Sequence, residues 1–230
     1  MPRVSVGTAF YPRAAALNRK QQWREWSGYL AASAYGDSHE IEYNAIREAA
    51  AFIDVSPLYK YLVTGPDATR LVDRVITRDA NKLAVGRVYY TSWCNEDGLV
   101  VDDGTVARLD EQSYRWTAAD PSLRWFRMNA RGLDVAIEDV SERVAALAVQ
   151  GPLSRDVLEA ATDAAWDDLR YFGRRSAQVA GVPVDVSRTG YTGDLGYEVW
   201  VESGSAVEVW DAFVRAGRSY GARPAGMPAL

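Results

Sequence analysis

Residues 86–119 read GRVYYTSWCNEDGLVVDDGTVARLDEQSYRWTAA, and this stretch decides the fold. Three runs within it, GRVYYTSWCN, LVVDDGTVARL and SYRWTAA, are strand-like and separated by polar turns, the pattern of consecutive antiparallel strands. The first turn, Asn95-Glu96-Asp97-Gly98, leads into Leu99-Val100-Val101 and then into two adjacent carboxylates, Asp102 and Asp103. Along the rest of the chain helices and strands mix without strict alternation. The expectation is an α+β fold whose layers carry mainly antiparallel sheet.

Outward from this stretch, residues 39–52 space Ile41, Ala45, Ala49 and Phe52 as on a helix, with Asp37 or Ser38 as its N-cap. FIDVSPLYKYLVTGP reads as strands interrupted by Pro57 and closed at Gly65-Pro66. DATRLVDRVI places Leu71, Val72, Val75 and Ile76 on one helical face, and SLRWFRMNAR is a short helix. LDVAIEDVSERVAALAVQGP has strand character at both ends, and LSRDVLEAA is helical. RSAQVAG, VPVDVSR and GYEVWVE read as strands, followed by the helix SAVEVWDAFVRAG. Residues 1–53 plus 141–230 are expected to form a first subdomain, and residues 54–140 an inserted second one that carries the Asp102 strand.

Composition narrows the function classes. A chain of 230 residues can bury a sizeable core in one or two domains. With a net charge of −5 and Lys and Arg spread along its length, it lacks the footprint of a nucleic-acid binder. Its apolar runs fall far short of the roughly 20 residues that span a bilayer, so no membrane role is expected. The start, MPRVSVGTAFYPRAAALNRK, has no continuous apolar segment of the kind a secretory signal needs. A single cysteine, Cys94, excludes an internal disulfide and points to the cytoplasm. A single histidine, His39, at the start of a helix, excludes His–Cys zinc clusters, HExxH sites and Ser-His-Asp triads. No metal site is expected, and acid–base work falls to carboxylates, tyrosines or a cofactor.

Four features carry candidate chemistry. Asp102 and Asp103 point to opposite faces of a strand, so a sheet covered on both faces puts one of them among apolar groups. A carboxylate so placed suits acid–base or cation-stabilising work; the alternative is that Asp-Asp-Gly ends the strand and caps a turn at Gly104. In SRTGYTGDLGYEVWVE, residues 187–202, Gly190, Gly193 and Gly196 recur at every third position. A strand follows them rather than a helix, which excludes a dinucleotide fingerprint. Such glycines permit close approach to a ligand or form a tight hairpin. Tyr191, Tyr197 and Glu198 bracket them, and an aromatic face with one carboxylate fits a planar heterocycle bearing adjacent N–H donors. LAVQGP, residues 147–152, reads as a structural junction. Tyr89 and Tyr90 beside Trp93, with Trp116 on the following strand, read as cross-strand packing or as the floor of a pocket.

The order of AIREAAAFIDVS (45–56), NEDGLVVDD (95–103), LAVQGP (147–152) and TGYTGDLGYEV (189–199) closely resembles the glycine-cleavage T-protein, or aminomethyltransferase, family. Its relatives include the folate domains of dimethylglycine and sarcosine dehydrogenases and folate-dependent demethylases. The resemblance implies a tetrahydrofolate site between two mixed α/β subdomains. It makes Asp102 the catalytic carboxylate beside the folate's reactive nitrogens, where positive charge develops as an iminium forms. It makes Glu198 the residue that grips the amino and ring N–H groups of the pterin, and Tyr191 the ring packed along it. Tyr90 matches an aromatic of the folate pocket, Trp116 is carried with it as a cofactor-binding candidate, and Asp103 is structural.

Departures from the family pattern cluster where a donor approaches. Pro57 and Leu58 stand where His and Met are usual, Thr117 where an Asn is usual, preceded by Trp116, and EWSGYLAASAYGD differs from the common N-terminal segment. The donor therefore stays open. The leading reading is transfer of an aminomethyl carbon from a lipoylated carrier protein to tetrahydrofolate with release of ammonia, as in a glycine cleavage system. The alternatives are demethylation of a small N-, S- or O-methyl compound and a non-catalytic folate-binding protein. Family members run beyond GMPAL through an Arg for the folate tail into a C-terminal β-barrel, so a partial chain without the barrel is expected.

Overall fold

The computed structural model describes residues 5–230. In chain order the first half carries β1 (Val6–Gly7), α1 (Tyr11–Leu17), β2 (Trp23–Trp26), β3 (Tyr29–Ala32), α2 (His39–Glu48), β4 (Ala51–Asp54), β5 (Tyr59–Thr64), α3 (Ala68–Val75), β6 (Val88–Cys94) and β7 (Val100–Asp110). The second half carries β8 (Ser113–Ala118), α4 (Leu123–Asn129), β9 (Ala136–Asp139), β10 (Val144–Gln150), α5 (Ser154–Ala161), β11 (Arg174–Val179), β12 (Val182–Ser187), β13 (Gly196–Glu202), α6 (Ala206–Gly217) and β14 (Arg223–Pro224). These elements form two units. One takes the segments up to Pro57, Arg143–Tyr171 and Arg175–Leu230; the other takes Leu58–Glu142 and Phe172–Arg174. The α+β class with mainly antiparallel sheet is what the structure has.

The first unit is built on a six-stranded sheet of order β11-β12-β13-β10-β4-β14. Its centre is β10, whose sequence VAALAVQ is buried at every position after Val144. A strand covered on both faces needs this continuous apolar run. β10 pairs antiparallel with β13 on one side and β4 on the other, while β14 adds to β4 in parallel. Helix α6 sets Ala206, Val209, Trp210 and Phe213 on its buried face, and α5 adds Val157 and Leu158. Full burial of each such large side chain stabilises the unit by about 1.5–3 kcal/mol. A small three-stranded sheet of order β1-β3-β2 also belongs here; the sequence reading assigned it no elements.

Helix α2 begins where expected, with Ser38 Oγ accepting the Glu40 N–H at 3.1 Å. It stops at Glu48 and does not reach Phe52. Ala49 leaves helical geometry at φ −137°, ψ −113°, and residues 51–54 are taken by pairing with β10. The inward face is Glu42, Ala45 and Ile46, not the face of Ile41, which is 50% exposed. Burial of Glu42 is tolerated because its carboxylate accepts three backbone N–H groups, from Tyr35 at 2.6 Å, Gly36 at 3.0 Å and Gly226 at 2.8 Å. Nearby, burial pushes the Tyr35 phenol well above its ordinary range, with the Asp54 and Glu42 carboxylates adding to the shift.

The second unit holds a five-stranded antiparallel sheet of order β6-β7-β8-β5-β9. Helix α3 contributes Leu71, Val72 and Val75 to the cluster on this sheet, and α4 contributes Phe126. Four aromatic rings interlock there. Phe126 lies 4.1 Å from Trp116, 5.7 Å from Trp93 and 5.3 Å from Tyr61, and Trp93 meets Trp116 edge-on at 90°. The Tyr61 hydroxyl accepts the buried Ser122 N–H at 3.0 Å, and burial pushes this phenol up to about 12. Tyr61→Phe leaves that N–H without its acceptor, so it is expected to cost about 1–2 kcal/mol in urea unfolding. An unchanged midpoint would mean that Ser122 finds another acceptor. Among the described residues no helix is long and apolar enough to cross a membrane.

Candidate functional site

Asp102 lies inside a strand, and neither expectation for it holds in full. β7 runs on through Gly104 to Asp110, so the two acids do not cap a turn. Gly104 is required in the strand because a Cβ there would sit 2.0 Å from the Thr117 carbonyl oxygen of β8. Nor is Asp102 set among buried apolar neighbours in its own run, since Leu99 is 64%, Val100 67% and Val101 43% exposed. These three residues flank the hairpin turn, outside the buried cluster of the unit. Asp102 itself is half-buried and stands opposite Trp93, next to a bulge between Trp93 and Cys94. Both of its oxygens are engaged: Oδ1 accepts the Asp103 N–H at 2.8 Å and Oδ2 the Asp120 N–H at 3.1 Å. These donors orient the carboxylate.

Strand alternation sorts the neighbouring candidates. Trp93 pairs with Asp102 and Val106 with Trp116, which places Asp102 at the margin of the face that carries the aromatic cluster. Trp116 is fully buried in that cluster rather than presented at the surface. The indole Nε1 groups of Trp93 and Trp116 have no hydrogen-bond partner among the described residues. Tyr90 and Asp103 occupy the opposite face, where the exposed Tyr90 hydroxyl donates to Asp103 at 2.5 Å. Thr117 is buried and spends its hydroxyl on Thr105, 2.6 Å away, while accepting the Thr105 N–H at 3.0 Å.

In the first unit, two stretches that the sequence presented separately are one construction. Gln150 ends β10, is buried, and inserts its amide under the loop between β12 and β13. Nε2 donates to the carbonyls of Thr189 at 3.3 Å and Tyr197 at 3.1 Å, and Oε1 accepts the Thr192 hydroxyl at 3.0 Å. A Cβ on Gly190 or on Gly196 would lie 2.0 Å from Gln150 Oε1. These two glycines thus make room for a side chain of the same unit. Arg47, in the last turn of α2, holds the loop from another side by donating to the Thr192 carbonyl at 2.7 Å and pairing with Asp194 at 3.7 Å. Leu195 O accepts the Gly151 N–H at 2.7 Å and the Ser154 hydroxyl at 3.3 Å.

The anchored loop presents Tyr191, which is 87% exposed. Glu198, on β13, is half-buried and accepts a short hydrogen bond from the Thr189 hydroxyl. Tyr197 points the other way, as alternation demands, into the core against Trp166 at 6.3 Å. The bracket of aromatics and carboxylate expected around the glycines therefore reduces to Tyr191 and Glu198. Sequence reasoning missed Thr189, Ser187 and Gln150 as parts of the site. Its available signal was the QGP junction and the hydroxyl residues two apart just before the glycines. Among the described residues no group of three or more His, Cys, Asp or Glu side chains is arranged to hold a metal ion.

The family described as GCVT N-terminal domain matches residues 9–230. A trimethylamine-oxide aldolase of Ruegeria pomeroyi is 37% identical over 241 residues, covering all of this chain and 30% of the relative. An aminomethyltransferase of Thermoanaerobacter sp. is 37% identical over 193 residues, covering 82% of this chain and 52% of the relative. The chain thus spans about half or less of the length of these curated relatives. The crystal structure of the glycine cleavage system aminomethyltransferase T from Bartonella henselae superposes with a TM-score of 0.86 at 22% identity, covering 98% of this chain and 60% of that one. At that identity the likeness speaks for the fold.

Proposed function

The chain belongs to the GCVT N-terminal domain family, and on that premise we propose that it binds tetrahydrofolate and serves one-carbon transfer in the cytoplasm. The observation that carries the reading is Glu198, a half-buried carboxylate oriented by a hydroxyl donor beside a loop that exposes Tyr191. The pterin ring offers an amino group and a ring N–H side by side, and a carboxylate meets such a pair with two acceptor oxygens. Tyr191 supplies a face for the same planar ring. This donor and acceptor set fits the ligand. Tyr90, exposed with its hydroxyl on Asp103, stays a candidate for the folate pocket, while Trp116 is wholly buried in the core and offers the ring no free face.

Bound tetrahydrofolate would supply the amine nitrogens that receive the one-carbon unit. Asp102 is assigned the catalytic carboxylate. Its two backbone donors fix it before the reaction, so stabilising the positive charge that develops during transfer needs no reorganisation of the group. Asp103, on the other face and bonded to Tyr90, is assigned no part in the transfer.

For the donor, the aminomethyltransferase relatives favour an aminomethyl group on a lipoylated carrier protein, with ammonia released. A second reading, demethylation of a small N-, S- or O-methyl compound, is favoured by the trimethylamine-oxide aldolase relative that covers the whole chain. Ammonia release from aminomethylated carrier supports the first; turnover only with methylated small molecules supports the second.

The test of the folate reading is calorimetric titration with tetrahydrofolate. Wild type is expected to saturate, and Glu198→Ala to weaken binding by about 10- to 100-fold, the worth of a charge-assisted hydrogen-bond pair. Equal affinity in the two proteins would remove Glu198 from the site.

A further inference from the structure

Glu198 is the end of a chain of hydrogen bonds that runs inward through three buried residues. The Trp200 indole Nε1 donates to Ser187 Oγ at 3.1 Å, Ser187 Oγ lies 2.8 Å from Thr189 Oγ1, and the Thr189 hydroxyl donates to Glu198 Oε2. Trp200, Ser187 and Thr189 are each almost wholly inaccessible to solvent. Sheet register builds the arrangement, with Ser187 opposite Glu198 and Asp185 opposite Trp200 on β12 and β13.

The direction of the chain follows from the donor inventory. An indole N–H can only donate, a hydroxyl has one proton to give, and an ionised carboxylate can only accept. The proton of Thr189 is committed to Glu198. That of Ser187 is then committed to Thr189, and Ser187 is left with the lone pair that Trp200 fills. Each of these protons thus has an acceptor within the series, which ends on the Glu198 carboxylate. Such a carboxylate suits a ring that presents two donors side by side and mismatches one that presents a donor beside a bare nitrogen or carbon.

Resting on the folate reading above, we infer that Thr189, held by Ser187 and Trp200, is a positioning residue that keeps the Glu198 carboxylate aimed as an acceptor and thereby sets selectivity for the 2-amino pterin ring. Thr189→Val removes the hydroxyl at nearly constant volume. It is expected to weaken tetrahydrofolate binding about 10-fold, with Thr189→Ser restoring affinity to within about threefold of wild type. A second ligand separates positioning from general damage. A tetrahydrofolate analogue lacking the 2-amino group forgoes one of the bonds to Glu198, so its affinity should fall much less in Thr189→Val. A purely structural lesion would weaken both ligands alike.

The chain is also read without ligand, through the Trp200 indole resonance in a proton–nitrogen correlation spectrum. Ser187→Ala removes the acceptor of that N–H and is expected to move the resonance strongly; Thr189→Val should move it less. An unmoved resonance in Ser187→Ala, or Thr189→Val binding tetrahydrofolate as wild type does, overturns the positioning role while the folate reading stands. If folded wild type binds no tetrahydrofolate, the folate reading falls and takes the selectivity with it, and the indole resonance still decides whether the chain exists.

Discussion

Asp102→Asn is expected to lower one-carbon transfer by about 100- to 1,000-fold, the loss seen when one oriented electrostatic partner of a developing charge is removed. Tetrahydrofolate affinity should change by no more than about threefold, because the lost interaction strengthens only as charge develops. The structure adds a complication that the test has to absorb. Both oxygens of Asp102 accept backbone N–H groups, from Asp103 and Asp120. An Asn amide must turn its NH2 toward one of them and set donor against donor, which costs about 1–3 kcal/mol if unrelieved. Some of the lost turnover would then reflect a rotated side chain. Single-turnover rates at saturating tetrahydrofolate, with urea unfolding of the same protein, separate the two contributions. Asp103→Asn is the matched control: it removes an adjacent charge, on the opposite face, whose carboxylate accepts from an exposed phenol, so its rate is expected to stay within about twofold. Equal losses in the two variants would mean that the local negative charge matters and the position does not. Full activity in Asp102→Asn would remove Asp102 from the mechanism.

The contrast between these two adjacent residues shows what sequence could and could not supply. The three runs between residues 86 and 119 are strands because their composition and turns leave little else, and each takes its place in the sheet as β6, β7 and β8. Alternation by itself sets Asp102 and Asp103 on opposite faces of the strand. Which face is covered, and how far along the strand the cover extends, depends on α3 and α4 arriving from elsewhere in the chain, so the exposure of Leu99–Val101 had no local signal. Helix α2 stops short of the expected Phe52 for a related reason. REAAAF carries good helix formers, and only the pairing of residues 51–54 with β10 overrides them. The short strands β1 to β3 run two to four residues each, too little for a period to register. At the site, the glycine spacing was legible while its purpose was not. The side chain that fills the space belongs to residue 150, forty residues or more from Gly190 and Gly196.

That long-range contact yields a large expected effect on stability. Gly196→Ala should lower the unfolding free energy by about 3 kcal/mol, within the range for an overpacked and disrupted buried polar contact. The added methyl would stand 2.0 Å from Gln150 Oε1. An amide at the end of a flexible side chain would ordinarily swing aside at little cost. Here it cannot, because it is buried and holds three bonds, to Thr189 O, Tyr197 O and the Thr192 hydroxyl. Moving it leaves those partners without water to replace it. Gln150→Ala forfeits the same bonds directly and is expected to cost about 2 kcal/mol. The two changes share one cause, so their effects should not add. In Gln150→Ala/Gly196→Ala the methyl enters space that the amide has vacated, and the double variant should be more stable than the sum predicts by at least about 1 kcal/mol. Urea unfolding of the four proteins measures this coupling. Strict additivity would show that the glycine is needed for the backbone path of β13 and not for Gln150. A large coupling would establish that the glycine-rich loop, with Tyr191 at its tip and Thr189 at its base, is held in place by the end of the central strand. Loop position would then be set by the core of the unit before any ligand arrives, which is the condition for Glu198 to bind without first having to be ordered.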